Sequence, residues 1–172
     1  MNKTRNFTFL ALLTAFAVLL SVFENIIPLP IAVPGAKLGL PNMIILSSLV
    51  VFGFKKSLAI NVVRTFLVLI IIGNPISFIY SIVGAVSSLL TMYVVNKYFS
   101  KYFSLIGVSI FGAVAHNTAQ VAIASLILEN ANIFSYLPLM YIISLFTGFF
   151  VGFSSNFIIE HLNKVIYKID WS

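Results

Sequence analysis

Phe7-Thr-Phe-Leu-Ala-Leu-Leu-Thr-Ala-Phe-Ala-Val-Leu-Leu-Ser-Val-Phe-Glu-Asn-Ile-Ile27 decides the class of this chain. Residues 7–20 hold no charge, and the apolar character continues to Ile27. A helix needs about 20 residues to cross the hydrocarbon core of a bilayer, so this stretch is long enough to span. Lys3 and Arg5 before it give it the outline of a secretory signal as well. The run is longer than a signal core of about 7–15 residues, however, and no small-residue cleavage site follows it. An uncleaved first span is expected.

The same texture continues outward from that run. Of 172 residues, 60% are hydrophobic and 8% charged, with a mean hydropathy of +1.10. A soluble domain carries about a quarter charged residues to cover its surface. Here the apolar residues fall in long blocks with short polar breaks, which marks membrane spans. Six segments are predicted, at 7–27, 40–54, 57–72, 76–96, 103–128 and 137–160, forming one all-α transmembrane domain over residues 1–172. The second and third are short, so they are expected to be tilted, partly interfacial or joined tightly through Gly53-Phe-Lys-Lys56. Gly73-Asn-Pro75 breaks the next connection, because proline cannot continue a helix and Asn-Pro favours a turn.

The net charge of +6 raises the question of nucleic acid. Nucleic-acid binders cluster Lys and Arg along one polar face. In this chain the cations sit in pairs at the ends of apolar runs: Lys3 and Arg5, Lys55 and Lys56, Lys97 and Lys101, Lys164 and Lys168. With the N-terminus inside, all four pairs fall on the cytoplasmic side, so the positive-inside rule places both termini there. The expected home is the cell membrane, crossed several times. Without cysteine the chain has neither disulfides nor thiolate metal sites.

Residues 28–41 differ from the other connections. They hold four prolines and two glycines on the predicted outer side. The prolines stiffen the segment and the glycines permit close backbone approach. Two readings stand: a rigid apolar connector, or a lid over an outward-facing pocket that brings Lys37 and Asn42 to it.

Arg64 is the strongest single signal, near the middle of the third segment in Asn61-Val-Val-Arg64. A charge at mid-span costs roughly 2.5–3.5 kcal/mol on insertion scales, so it faces a partner, faces a wet cavity or snorkels. Lys56 lies about two helical turns away, within reach of the last option. Asn61, three residues earlier on the same face, favours a polar lining.

The fifth segment holds Gly112-Ala-Val-Ala-His-Asn-Thr-Ala-Gln120. His116 and Gln120 are four apart and share a face, Asn117 is their neighbour, and Ser109 and Gly112 continue the stripe. Such groups at membrane depth need partners. They form either interhelical glue or a ligand site. His116 is not expected to hold a metal, because His161 lies at the far end and no acid cluster exists; no cofactor is called for. Glu24 and Glu129 end the first and fifth segments. Either is placed to pair with Arg64 or Lys37, but interfacial solvation is expected for both.

Small residues repeat where helices must approach: Ala11 and Ala15 with Thr14, Ser21 and Asn25 in the first span; Ser77, Ser81, Gly84, Ser88 and Thr91 in the fourth; Ser144, Gly148 and Gly152 in the sixth. Most are expected to be internal packing. The Ala11–Ala15 pair is placed where a partner subunit can dock.

Pro34-Gly-Ala-Lys-Leu-Gly-Leu-Pro-Asn42 together with Gly112-Ala-Val-Ala-His-Asn-Thr-Ala-Gln120 resemble the Gx transporter family, also labelled heptaprenyl diphosphate synthase component I. The similarity runs over nearly the whole chain. That family in turn resembles the substrate-binding S components of energy-coupling-factor (ECF) vitamin transporters, which are six-helix bundles. In S components an Ala-x-x-x-Ala pair on the first helix meets the transmembrane coupling subunit, and Ala11 and Ala15 match that spacing.

The resemblance therefore implies an importer subunit that captures a vitamin-like or anionic small molecule from outside, such as a flavin, another vitamin, or a quinone or isoprenoid precursor. Arg64, His116, Asn117, Gln120, Lys37, Asn42 and Asn61 are the candidate ligand contacts. No phosphate-binding Gly-x-x-x-x-Gly-Lys-Ser/Thr run is present, so the energy must come from partner coupling and ATPase subunits. The synthase label meets a chemical objection. Prenyl diphosphate synthases hold magnesium on aspartate-rich motifs, and hard cations want several carboxylates. This chain has only Asp170 and three scattered glutamates, so it is not expected to be an enzyme. The alternative is a noncatalytic membrane accessory to heptaprenyl diphosphate or menaquinone synthesis. A third reading, a self-contained proton-coupled carrier, relays protons through His116 and Glu24.

Overall fold

A computed structural model describes residues 3–26 and 39–170, and every regular element among them is helical. In chain order these are α1 (Lys3–Ile26), α2 (Asn42–Phe52), α3 (Phe54–Ile72), α4 (Pro75–Tyr98), α5 (Leu105–Ile127), a 3₁₀ turn (Ala131–Tyr136) and α6 (Leu137–Asp170). The predicted segments therefore reappear, with one clear correction. The sixth was expected to stop near residue 160, yet it continues to Asp170. The apolar pattern fades there, but Lys164 Nζ pairs with Glu160 at 2.6 Å one turn back and Leu162 is buried in the core, which carry the helix on as an amphipathic extension.

Among the described residues, four stretches are long and apolar enough to cross a membrane: Asn6–Ile26, Pro75–Tyr98, Leu105–Ile127 and Ala131–Ile166. The 19-residue α3 has the length but carries Lys55, Lys56 and Arg64. The 11-residue α2 rises only about 16 Å, half a bilayer core. Most of it is interior, because Ile44, Ile45, Leu46, Ser47, Ser48 and Leu49 are all buried, while Val50 near its end is exposed. A helix that is apolar on every side belongs in an interior. It contacts α6, α3, α1 and α4, while α5 packs between α4 and α6, and α3 between α1 and α4.

Two breaks shape the bundle. The tight turn expected over residues 53–56 is a single residue, Gly53, at φ 82°, with Phe54, Lys55 and Lys56 already in α3. Nothing lies within 4 Å of where its Cβ would be, so backbone conformation alone asks for glycine. Ser48 Oγ donates to Ser57 Oγ across the fold at 2.8 Å. Gly73, at φ 71°, closes α3, and its N–H reaches Leu69 O at 2.8 Å. Asn74 then caps α4 by accepting from Ser77 N–H at 2.9 Å, and Pro75 takes the first helical position, where its missing N–H costs nothing.

The radial distribution is that of a protein in lipid. Phe16, Phe66, Phe146, Phe150 and Phe157 face outward, while Ser, Asn, Gln, Arg and His side chains face in. Helices α5 and α6 approach backbone to backbone. A Cβ on Gly148 would stand 2.6 Å from Ile110 Cα, and one on Gly152 would stand 2.5 Å from Ile106 Cα. Only glycine admits that approach.

Candidate functional site: a buried polar seam

Arg64 lies in the protein interior, 5% exposed, and does not snorkel. Its Nη1 donates to Ser21 Oγ of α1 at 2.9 Å and its Nη2 to Asn61 Oδ1 at 2.9 Å. Asn61 in turn donates from Nδ2 to Ala85 O of α4 at 2.9 Å. One cation thus ties three helices together. The i to i+3 spacing on α3 puts Asn61 and Arg64 on one face, and the small Ser21 leaves room for the long side chain between α1 and α3.

Glu24 departs from expectation. It is 6% exposed, so it is not solvated at an interface. Its Oε1 accepts the Gly39 N–H, which ties the end of α1 to the turn before α2, and its carboxylate interacts electrostatically with Arg64. The sequence offered Glu24 and Glu129 on equal terms; the structure separates them, since Glu129 is exposed at φ 48° past the end of α5. Opposite charge nearby, together with these hydrogen bonds, lowers the cost of holding both Arg64 and Glu24 away from water.

The fifth-segment motif divides between two neighbours. His116 and Gln120 face α4, where a Cβ on Gly84 would lie 3.0 Å from both Gln120 Cγ and His116 Cε1. Asn117 lies about 100° round the helix and turns to α6, donating to Ser144 Oγ at 2.8 Å and to Met140 O at 3.4 Å. Its amide is therefore committed to an interhelical tie, and it meets a ligand only by leaving those bonds. Gln120 differs. It is 1% exposed, and neither Nε2 nor Oε1 has a hydrogen-bond partner among the described residues; Ser88 Oγ also lacks one.

The two groups of polar residues meet α4 at consecutive positions, Asn61 at Ala85 and Gln120 at Gly84. Successive positions lie about 100° apart, so one group reaches α4 from α3 and the other from α5; we call these flanking groups the polar seam. Asn42 stands at the start of α2, buried and folded over Gly39 through its N–H to Gly39 O at 2.9 Å. Lys37 and residues 28–38 of the proline-rich connection lie outside the described residues. A residue that sequence reasoning passed over is Thr65, 1% exposed, which lines a small cleft of about 10 Å³ between α3 and α4 with Ser77 and Ser81. Its neighbour Arg64 drew the attention that a threonine in an apolar run does not.

Ala11 and Ala15 sit elsewhere, exposed on α1. With Phe7, Leu10, Ala59 and Val63 they line an apolar groove of about 410 Å³ between α1 and α3.

Fold and seam define an α-helical membrane protein with a polar interior. The sequence pattern of one family, heptaprenyl diphosphate synthase component I, matches residues 13–158, and the chain belongs to that family. No match was found among curated proteins or among solved structures.

Proposed function

We propose that this chain is the substrate-binding membrane subunit of an ECF-type importer, set in the cell membrane with both termini cytoplasmic, and that it is not an enzyme. The observation that carries the reading is the Gln120 amide, buried at membrane depth without a partner and packed against Gly84, one residue before the Ala85 carbonyl that Asn61 reaches. Groups of this kind are costly in a bilayer unless something accepts their hydrogen bonds. A captured solute is the partner that gives the cost a purpose.

Gln120 and His116 form the heart of the proposed contact set, with Arg64 and Asn61 beside them, Asn42 and Lys37 toward the outer mouth and Asn117 behind; Arg64, Asn61 and Asn117 meet a ligand only by leaving their present bonds. The substrate is small and vitamin-like, in the range of a flavin, another vitamin, or a quinone or isoprenoid precursor. The groove beside Ala11 and Ala15 supports docking of a transmembrane coupling subunit, because small side chains there let a partner helix approach. ATPase subunits complete the assembly.

The family description favours one second reading, a noncatalytic membrane accessory to heptaprenyl diphosphate synthesis. Affinity purification of the tagged chain from its native membrane, in mild detergent, separates the two. Recovery of a coupling subunit with ATPases supports the importer; recovery of a soluble prenyl synthase instead overturns it.

A further inference from the structure

The polar residues of α4 form a graded series. Asn74 is exposed at the helix start, Ser77 is half-buried, Ser81 is buried, Gly84 follows one turn deeper, and Ser88 is fully buried. These positions, spaced by three or four, share one face. The cleft between α3 and α4 opens beside Asn74 and Ser77 and runs inward to Thr65 and Ser81. Its volume of about 10 Å³ holds one water molecule. One turn past Ser81 stands Gly84, against which Gln120 packs, and a further turn on stands Ser88, with its hydroxyl unpartnered like the Gln120 amide. The series thus runs from solvent to two buried polar groups that lack hydrogen bonds.

We infer that the α3–α4 seam is a hydrated side entrance that leads toward Gln120, whose amide takes a neutral hydrogen-bonding partner, water or a group of amide or ureide type. The entrance is distinct from the proline-rich connection between α1 and α2. Two features set the chemistry. Gln120 offers both a donor and an acceptor, which a cis-amide edge satisfies with two parallel bonds. Arg64 carries a charge already faced by Glu24 and committed to Ser21 and Asn61, so the seam is electrically compensated and holds no strong attraction for an anion. The inference about the entrance stands independently of coupling to any ATPase.

The chain has no cysteine, so each engineered thiol reports alone. Thiols react as thiolates, which form only where water reaches. The test uses Ser81→Cys, Thr65→Cys, Ser88→Cys and Ser144→Cys proteins in liposomes, treated with the neutral reagent hydroxyethyl methanethiosulfonate. Ser144 is the control, fully buried in the α5–α6 contact. Folding is checked by monodispersity on size-exclusion chromatography, and Thr65→Cys replaces Ser81→Cys if the latter fails. Labelling of Ser81→Cys or Thr65→Cys is expected at least about tenfold faster than that of Ser144→Cys, with Ser88→Cys between them. Equal rates at the cleft positions and at Ser144→Cys overturn the entrance. Fast labelling of Ser81→Cys with Ser88→Cys no faster than Ser144→Cys overturns its extension to Gln120.

Discussion

Two interfaces of α5 teach opposite lessons from similar residues. Toward α6, two glycines bring the backbones into contact and Asn117 finds its partners at Ser144 and Met140. Toward α4, another glycine makes room, but the amide that occupies the space, Gln120, is left without hydrogen bonds among the described residues. The first interface is closed by its own groups. The second leaves a buried carboxamide whose hydrogen bonds the described residues do not supply. Two carboxamides, three residues apart on one helix, separate architecture from function.

The largest expected effect lies where the polar seam has an architectural part. Arg64→Met removes a buried positive charge that acts on Glu24 and breaks the bonds to Ser21 and Asn61, and should cost about 3–5 kcal/mol, read as a fall in thermal stability in detergent. Adding Glu24→Gln should return most of that loss. If the double variant is no better than the single, the two groups are not energetically coupled.

Gly152→Ala comes next. Its new methyl meets the Ile106 backbone at 2.5 Å, where no side-chain rotation relieves it, and overpacking of this kind costs about 1–3 kcal/mol. Full native stability would show that α5 and α6 are not held as closely as described.

The two amides give the finest discrimination. Asn117→Leu removes a satisfied interhelical bond and should lower stability by about 0.6 kcal/mol, the average for such bonds in membranes, and by no more than about 1.7. Gln120→Met keeps the volume and removes a polar group with no protein partner. Its stability should be unchanged or higher, because an unsatisfied buried group is a liability. Equal destabilisation by both variants would erase the contrast between the two faces of α5.

Much of the bundle was legible in the residues. Hydrophobic run lengths gave the all-helical character and the long apolar helices among the described residues, and Gly73-Asn-Pro75 gave the α3–α4 break in full, because capping and proline chemistry act locally. The extension of α6 escaped because its last turns are held by an ion pair and by Leu162 in the core rather than by apolar length. The short second segment was read as tilted, partly interfacial or tightly joined, and not as interior, because only packing ranks helices from centre to rim.

Site reading followed the same line. Asn61 and Arg64, and likewise His116 and Gln120, were paired correctly by helical spacing. Asn117 was drawn into the group by sequence adjacency, which in a helix is a turn of about 100°. Glu24 was misjudged because its neighbours, Gly39 and Arg64, lie 15 and 40 residues away, and no local rule connects them.

The central claim is that the α4 face of α5 serves a guest and not the fold. Native mass spectrometry of wild-type and Gln120→Met proteins, purified gently from the same membranes, addresses it most directly. The expected result is a small molecule retained by the wild type and lost from a variant that melts no lower. A variant that retains the same molecule at the same occupancy would contradict it.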